Sequence, residues 1–134
     1  MRVAVLAGGA VPAALRRRAA ERGLHLVEYY GAAELSFVAI DTDGKGLRPF
    51  PGVEVDLRDG VLWARSPYLC TGVADPQGWA SVGDLAEPGP DGTLRILGRG
   101  EQAADVAGHT VRLADVESVL GAVPGVAELV CLAQ

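Results

Sequence analysis

The 134-residue sequence contains a single lysine, Lys45, and its other eleven basic residues are arginines. Any mechanism that depends on a positioned lysine must therefore use Lys45. That residue lies in the segment DTDGKG, which is typical of a turn, and we expect it to be exposed. Twelve basic residues against seventeen acidic ones give a formal net charge of −5. This balance argues against nucleic-acid binding, which usually shows a basic patch, and we expect the arginine run at 16–18 to be a solvated helix face.

Cysteine and histidine are also scarce, with two residues of each. Neither type has a metal-ligand spacing, so we expect no metal site built from them and two buried apolar thiols. No apolar run approaches the ~20 residues that cross a bilayer. The run at 3–7 is too short for the apolar core of a signal peptide. We therefore expect a cytoplasmic protein that makes no membrane contact.

The elements that are present predict an α/β (α+β) fold. Residues 2–7, RVAVLA, predict a buried strand, residues 12–22 a helix that ends at Gly23, and residues 24–30, LHLVEYY, a second parallel strand. Short alternating runs between 48 and 98 predict a central antiparallel, barrel-like sheet. It contains a hairpin at Asp59-Gly60 and a second one formed by 78–84 and 93–97. Beyond it we predict a helix over 113–122 and a strand over 126–132.

Two segments near the first strands carry candidate binding residues. Gly8, Gly9 and Ala10 follow the first strand, where a glycine turn lets backbone approach an anion beside a helix N-terminus. Taken alone, these residues favour a plain structural turn. Tyr30 and Glu34 lie at the carboxyl end of the second parallel strand, where ligands bind in open α/β sheets. Tyr30 offers a flat face, and Glu34 an oxygen ligand for Mg²⁺. The alternative is an interfacial tyrosine and a solvated glutamate.

Two further segments, at 79–84 and 98–101, carry candidate residues later in the chain. In the run WASVGD we expect Asp84 to end a strand, where a carboxylate can accept both hydroxyls of a ribose. The alternative is an aspartate that merely starts a turn. The run GRGE at 98–101 places two glycines around Arg99, which is compatible with a hinge or with an ordinary linker.

In this order the four segments closely resemble the adenylate-forming enzymes, which include acyl-CoA synthetases and AMP-dependent ligases. The resemblance implies that the GGA segment at 8–10 is an adenine-side loop. It implies that YYGAAE is the Y-G-x-[ST]-E motif, with Tyr30 and Gly31 near the adenine and Glu34 holding Mg²⁺. It also implies that SVGD is the T-G-D motif, whose aspartate, Asp84, grips the ribose. The implied cofactors are ATP or AMP and Mg²⁺, with coenzyme A as a further ligand.

The same resemblance extends over residues 98–118. It implies that Arg99 contacts the nucleotide, that Glu101 is the hinge position, and that Gly108 lies on a loop beside the thiol (pantetheine) tunnel. The chain then divides into a βαβ nucleotide-side segment (1–47), an antiparallel subdomain (48–98), and a hinge with the start of a small C-terminal domain (99–134). Two residues depart from the motifs of these enzymes: Ala33 stands where Thr or Ser is usual, and Val82 stands where Thr is usual.

Adenylate-forming enzymes are several times longer, and the resemblance places their phosphate loop before this segment and their catalytic lysine after it. We therefore expect a truncated ligase-like protein with no catalytic residue of its own and no adenylation activity alone. The alternative is a non-catalytic nucleotide- or acyl-binding or scaffold protein. Open sheet edges are templates for pairing, so we expect a homodimer or a complementary subunit. A small carboxylic acid or acyl thioester is the expected ligand, of unknown identity, and a new activity of the segment stays open.

Overall fold

The computed structural model describes residues 2–9, 11–99, 103–106 and 109–132. Along these residues the strands and helices are β1 (Arg2–Leu6), α1 (Ala13–Glu21), β2 (Leu24–Ala32), β3 (Ser36–Asp41), β4 (Arg48–Pro49), β5 (Glu54–Arg58), β6 (Val61–Arg65), β7 (Asp84–Pro88), β8 (Leu94–Arg99), β9 (Ala103–Val106), β10 (His109–Arg112) and α2 (Leu113–Leu120). A short 3-10 turn, Pro90–Gly92, joins β7 to β8. The predicted mixed α/β class is confirmed. Neither of the described helices has the length and apolar character needed to cross a bilayer.

The predicted βαβ unit is present. β1 pairs in parallel with β2, with Arg2 opposite Leu24. The connecting helix α1 follows Pro12, whose fixed φ suits a helix start, and Gly23 beyond its end adopts a φ of 63°. Because β1 and β2 run in the same direction, their carboxyl ends lie at one edge of the sheet.

Two strands that the pattern does not predict extend this sheet beyond β2. The sheet order is β1-β2-β3-β4, and β3 runs antiparallel to β2. In β3 the neighbouring residues Val38 and Ala39 are both fully buried. Burial on both faces removes the alternation by which a half-buried strand is recognised.

The second sheet contains β5, β6, β7 and β8 in sequence order, all antiparallel. The predicted hairpin turn is present, since Asp59 and Gly60 both have positive φ, as a type I′ turn requires. The described strands form an open sheet and not the barrel-like one predicted. A bridge between Leu47 and Leu94 joins this sheet to the segment that leads into β4. Residues of both sheets share one core cluster: Leu35, Val38, Val53, Leu62, Ala64, Ala80 and Ala86.

Asp84 begins a strand rather than ending one, so the strand predicted over 78–84 is wrong. Ala80 makes an isolated bridge to Ala64, residues 81–83 are irregular, and β7 starts at Asp84. Gly78 and Gly83 have φ of 85° and 81°. Positive φ values interrupt an extended strand, which moves the hairpin partner of β8 to residues 84–88.

The last part of the described chain confirms one prediction and corrects another. β9 and β10 pair as an antiparallel hairpin, and α2 follows at the predicted position. The strand predicted over 126–132 is wrong, because these residues are irregular. An apolar run becomes a strand only where a neighbour pairs with its backbone groups, and no strand within the described residues does so. Instead, the N–H of Cys131 donates to the Glu117 carboxylate at 2.8 Å.

The arginine run on α1 is not wholly solvated. The Arg16 guanidinium pairs with Glu28 on β2 and lies 3.3 Å from a carboxylate oxygen of Asp41, whose side chain is 2% exposed. Burial raises the pKa of Glu28, and the Arg16 charge opposes that rise. Lys45, by contrast, is 74% exposed, as predicted.

Candidate functional site

Three side chains from both sheets meet at one place, and we call them the Asp84 cluster: Tyr30, Asp84 and Arg99. The Tyr30 hydroxyl donates a hydrogen bond of 2.6 Å to Oδ2 of Asp84. The other carboxylate oxygen, Oδ1, lies 3.4 Å from Nε of Arg99. Sheet register explains the second contact, since Asp84 at the start of β7 is the direct partner of Arg99 at the end of β8. Tyr30, near the end of β2, comes from the other sheet.

The surroundings of the Asp84 cluster keep the Tyr30 phenol protonated. Burial is the main cause that raises the pKa of Tyr30, and the hydrogen bond to Asp84 and its negative charge raise the pKa further. The Arg99 charge acts in the opposite direction but less strongly. Tyr30 is therefore a neutral donor at ordinary pH. The Asp84 side chain is 14% exposed, and its two oxygens have more lone pairs than these contacts occupy, so the carboxylate can accept donors from a ligand.

Gly31 fits its position for a steric reason. A side-chain carbon added there would lie 2.1 Å from the backbone oxygen of Ser36, much closer than such contacts tolerate. The β2–β3 register shifts between Tyr30 and Gly31, and Ser36 itself has a positive φ of 57°. The glycine thus permits the tight return of the chain that places the turn at 33–35 beside the end of β2.

Glu34 lies in that turn and is exposed. Core packing and hydrogen bonds both hold this turn in place. Leu35 is fully buried in the core, and Cys70 binds the turn from outside. The Cys70 backbone N–H donates to the carbonyl of Glu34 at 3.0 Å, and its thiol donates to the carbonyl of Ala33 at 3.1 Å. Cys70 is exposed and Cys131 is partly exposed, so the prediction of two buried thiols is wrong. The Cys70 sulfur lies at the surface, where it serves as a hydrogen-bond donor.

The glycines after β1 lie at the same sheet edge as the end of β2. Gly8 and Gly9 are exposed, and Gly8 has a φ of 90°. A side-chain carbon at either position would meet no atom within 4 Å. The space in front of this backbone is open to a ligand, and only Gly8 needs glycine for its conformation. Three further predicted positions, Ala10, Glu101 and Gly108, lie outside the described residues.

Two features of the site have no signal in the sequence. The Tyr30–Asp84 hydrogen bond joins residues 54 positions apart, and the Cys70 contacts join residues 37 and 36 positions apart. Such pairs depend on how segments that are distant along the chain pack together. Within the described residues, no group of three or more His, Cys, Asp or Glu side chains comes together as a ready metal site.

Comparison with known proteins places this geometry in a family. No model of a protein family matches the chain. A probable 2-succinylbenzoate–CoA ligase from Mycobacterium tuberculosis (strain CDC 1551 / Oshkosh) is 32% identical over 130 residues, which cover 91% of this chain and 34% of the relative. The structure of O-succinylbenzoate coenzyme A synthetase from Bacillus subtilis in complex with AMP matches 96% of this chain at a TM-score of 0.84, with 25% identity. The chain belongs to the adenylate-forming enzyme superfamily.

The match covers a limited part of the adenylate-forming relatives. The chain spans about a third of their length, 34% of the mycobacterial ligase and 32% of the Bacillus subtilis structure. A second structure of the Bacillus subtilis synthetase, in complex with ATP and magnesium ion, covers 95% of this chain and 32% of its own length, again at a TM-score of 0.84 and 25% identity. The adenylate-forming fold therefore accounts for nearly all of this chain.

Proposed function

We propose that this segment supplies the adenine-nucleotide side of an ATP-dependent carboxylic acid–CoA ligase. The observation that carries the proposal is the Asp84 cluster, a hydrogen-bonded carboxylate at the place where the two sheets meet. The likeness to structures that hold AMP, or ATP with magnesium ion, supports the choice of ligand. The exposed glycines Gly8 and Gly9 add a backbone surface that a nucleotide can approach closely.

Each member of the Asp84 cluster takes a distinct part in this proposal. Asp84 accepts hydrogen bonds from the two ribose hydroxyls, because a carboxylate has only acceptors to offer and a vicinal diol has two donors. Tyr30 offers its ring to the adenine, while its hydroxyl fixes one oxygen of the carboxylate. Arg99 has a 60% exposed side chain, so its guanidinium can reach a phosphate, while the Tyr30 hydroxyl keeps its hydrogen bond to Asp84.

Glu34 has the properties of the magnesium-binding residue that the family resemblance implies. It is an exposed carboxylate on a turn fastened by Leu35 and Cys70. Mg²⁺ in nucleotide sites is usually bound through one or two carboxylates together with substrate phosphates. A single glutamate suits that arrangement, since the nucleotide itself supplies the other charged oxygens.

The proposal extends to coenzyme A as the acceptor thiol, with Glu101 as the hinge and Gly108 beside the thiol tunnel.

Calorimetric titration of the chain with AMP tests the proposal. We expect binding that is lost on Asp84→Ala, because the ribose acceptor disappears. Glu87→Ala is the matched control, since Glu87 is an exposed carboxylate on the same strand, paired with Arg95, and we expect it to bind AMP like the unchanged chain. Absence of AMP binding by the unchanged chain, or equal loss in both variants, would contradict the proposal.

A second candidate role is association with another chain through β1. Val3 and Val5 share one face of this strand and are 49% and 61% exposed, although parallel sheets are normally covered on both faces. We propose that a second copy or a complementary chain covers this strand. Light scattering on the chain and on Val5→Lys tests it. A dimer that the substitution dissociates supports self-association, and a monomer at high concentration that binds no added partner chain counts against the role.

A further inference from the structure

The turn that leads into Asp84 is held by the side chain of one residue, Ser81. The Ser81 hydroxyl donates a hydrogen bond of 2.6 Å to the backbone carbonyl of Leu62 on β6. The same hydroxyl oxygen accepts a hydrogen bond of 3.1 Å from the backbone N–H of Gly83. One oxygen atom therefore ties the turn both to the neighbouring strand and to itself.

Ordinary sheet pairing does not hold this turn. Ala80 bridges Ala64 through two backbone hydrogen bonds of 2.8 and 2.9 Å. The next β6–β7 pair is Val61 with Leu85. Between these two points, four residues (81–84) lie opposite two residues of β6 (62–63), so the turn bulges away from the ladder. The Ser81 hydroxyl gives the Leu62 carbonyl the donor that a paired strand would have supplied.

The burial of Leu62 makes this hydrogen bond costly to lose. Leu62 is 1% exposed and belongs to the core cluster. A buried carbonyl without a donor is unfavourable, so the chain would move to satisfy it. The segment nearest to this carbonyl is the turn at 81–83, which is free to shift toward it. The turn continues through Gly83, at a φ of 81°, directly into Asp84. We therefore expect loss of the Ser81 hydroxyl to displace the start of β7, where the carboxylate is attached.

The neighbouring residue does not provide this hydroxyl. At position 82, where the resembled motif has threonine, this chain has valine, and the Val82 side chain packs against the core cluster. We propose that Ser81 is the positioning residue of the nucleotide site: it acts through the turn at 81–83 to orient the Asp84 carboxylate toward the ribose diol. The inference rests on the nucleotide site proposed above, and it assigns the orientation of Asp84 to a residue that contacts no ligand.

Two nucleotides that differ only in the ribose hydroxyls provide the test, AMP and 2′,3′-dideoxyadenosine monophosphate. For Ser81→Ala we expect about a fivefold loss of AMP affinity, the ratio that corresponds to one neutral hydrogen bond. We expect no change in affinity for the dideoxy nucleotide, which has no diol for Asp84 to bind. Ser81→Thr keeps the hydroxyl and should restore AMP binding. An equal loss for both nucleotides, or no loss for either, would overturn the proposal, since a general loosening of the fold does not distinguish the ligands.

Ser66→Ala is the matched control. The Ser66 hydroxyl also accepts a backbone N–H two residues on, that of Tyr68 at 2.9 Å, but in an exposed loop. We expect it to leave both affinities unchanged. If Ser81→Ala does not fold, Ser81→Cys replaces it, because a thiol of similar volume is a weaker donor and should cause a smaller loss of the same selectivity.

A measurement without nucleotide separates this inference from the proposed function. The carbon NMR signal of the Asp84 carboxyl group should shift in ligand-free Ser81→Ala and return in Ser81→Thr. A shift in a chain that binds no AMP would refute the nucleotide site and support the positioning of Asp84 by Ser81. An unchanged signal would overturn the inference whether or not AMP binds.

Discussion

Replacement of Tyr30 by phenylalanine tests the Asp84 cluster most directly. The change removes one oxygen atom and keeps the ring that packs against the core cluster. The oxygen that is removed donates a 2.6 Å hydrogen bond to a carboxylate that is 14% exposed. Hydrogen bonds to charged groups contribute about 1.5–3 kcal/mol, so we expect Tyr30→Phe to lower the free energy of unfolding by that amount at pH 8.

The difference between the two chains should depend on pH in one direction. Burial raises the pKa of Tyr30 in the folded chain above its ordinary value of 10.0. The stabilisation is therefore fully present below pH 10, and above it the unfolded chain loses a proton that the folded chain keeps. Stability then falls by ~1.4 kcal/mol per pH unit as pH rises. Because phenylalanine has no such proton, the advantage of the unchanged chain should shrink between pH 10 and 11.

Urea unfolding at pH 8, 10 and 11 measures this difference, with Tyr68→Phe as the control. Tyr68 is 46% exposed and packs edge-on against Phe50. We expect its replacement to change the free energy of unfolding by less than ~0.5 kcal/mol at pH 8, as is usual for surface positions. If Tyr30→Phe costs no more than the control, or if its cost stays constant through pH 11, the hydrogen bond does not hold Asp84 as argued.

Three further predictions follow from single contacts. Gly31→Ala places a side-chain carbon 2.1 Å from a backbone oxygen and should lower the free energy of unfolding by about 3 kcal/mol. Gly9→Ala, with open space around it, serves as the control, and equal denaturant midpoints for both variants would contradict the geometry. Glu28→Gln should become more stable relative to the unchanged chain as pH rises from 4 to 7. Burial raises the pKa of Glu28, so the stability that the protonated Glu28 contributes to the unchanged chain is lost as pH rises through that pKa. A difference in the free energy of urea unfolding that stays constant across this range would refute the prediction. These 134 residues alone should give no acid-dependent ATP–pyrophosphate exchange. Transition-state charge must be stabilised by positioned groups, and the single lysine, Lys45, is exposed and pairs with a turn aspartate. Measurable exchange would overturn that expectation.

Local patterns in the sequence predict those elements whose cause is local. The β1–α1–β2 unit follows from an apolar run, a proline at the helix start and a glycine at its end. The β5–β6 hairpin follows from Asp59-Gly60, which adopts the positive φ values that its turn requires. β6, Val61–Arg65, begins directly after this turn. In each case the residues that decide the structure are neighbours along the chain.

Elements whose cause is distant were not predictable in the same way. β3 exists because β2 and β4 pair with its two edges, and burial on both faces hides its pattern. The apolar run at 126–132 has the composition of a strand, yet pairing decides the outcome and no described strand offers it. Residues 78–83 have the composition of a strand too, but Gly78 and Gly83 adopt positive φ. Composition gives the capacity to form a strand, and the available partner decides whether one forms.

The same distinction applies to the candidate site. Tyr30, Asp84 and Arg99 were predictable as candidates from their motifs, but their mutual contacts depend on how the two sheets pack. Tyr30 belongs to the first sheet, while Asp84 and Arg99 belong to the second. The cluster therefore exists only while the shared core holds the sheets together. A ligand that binds all three groups must stabilise that packing by mass action, so AMP should protect the interface between the sheets from local opening more than it protects the outer hairpin of β5 and β6.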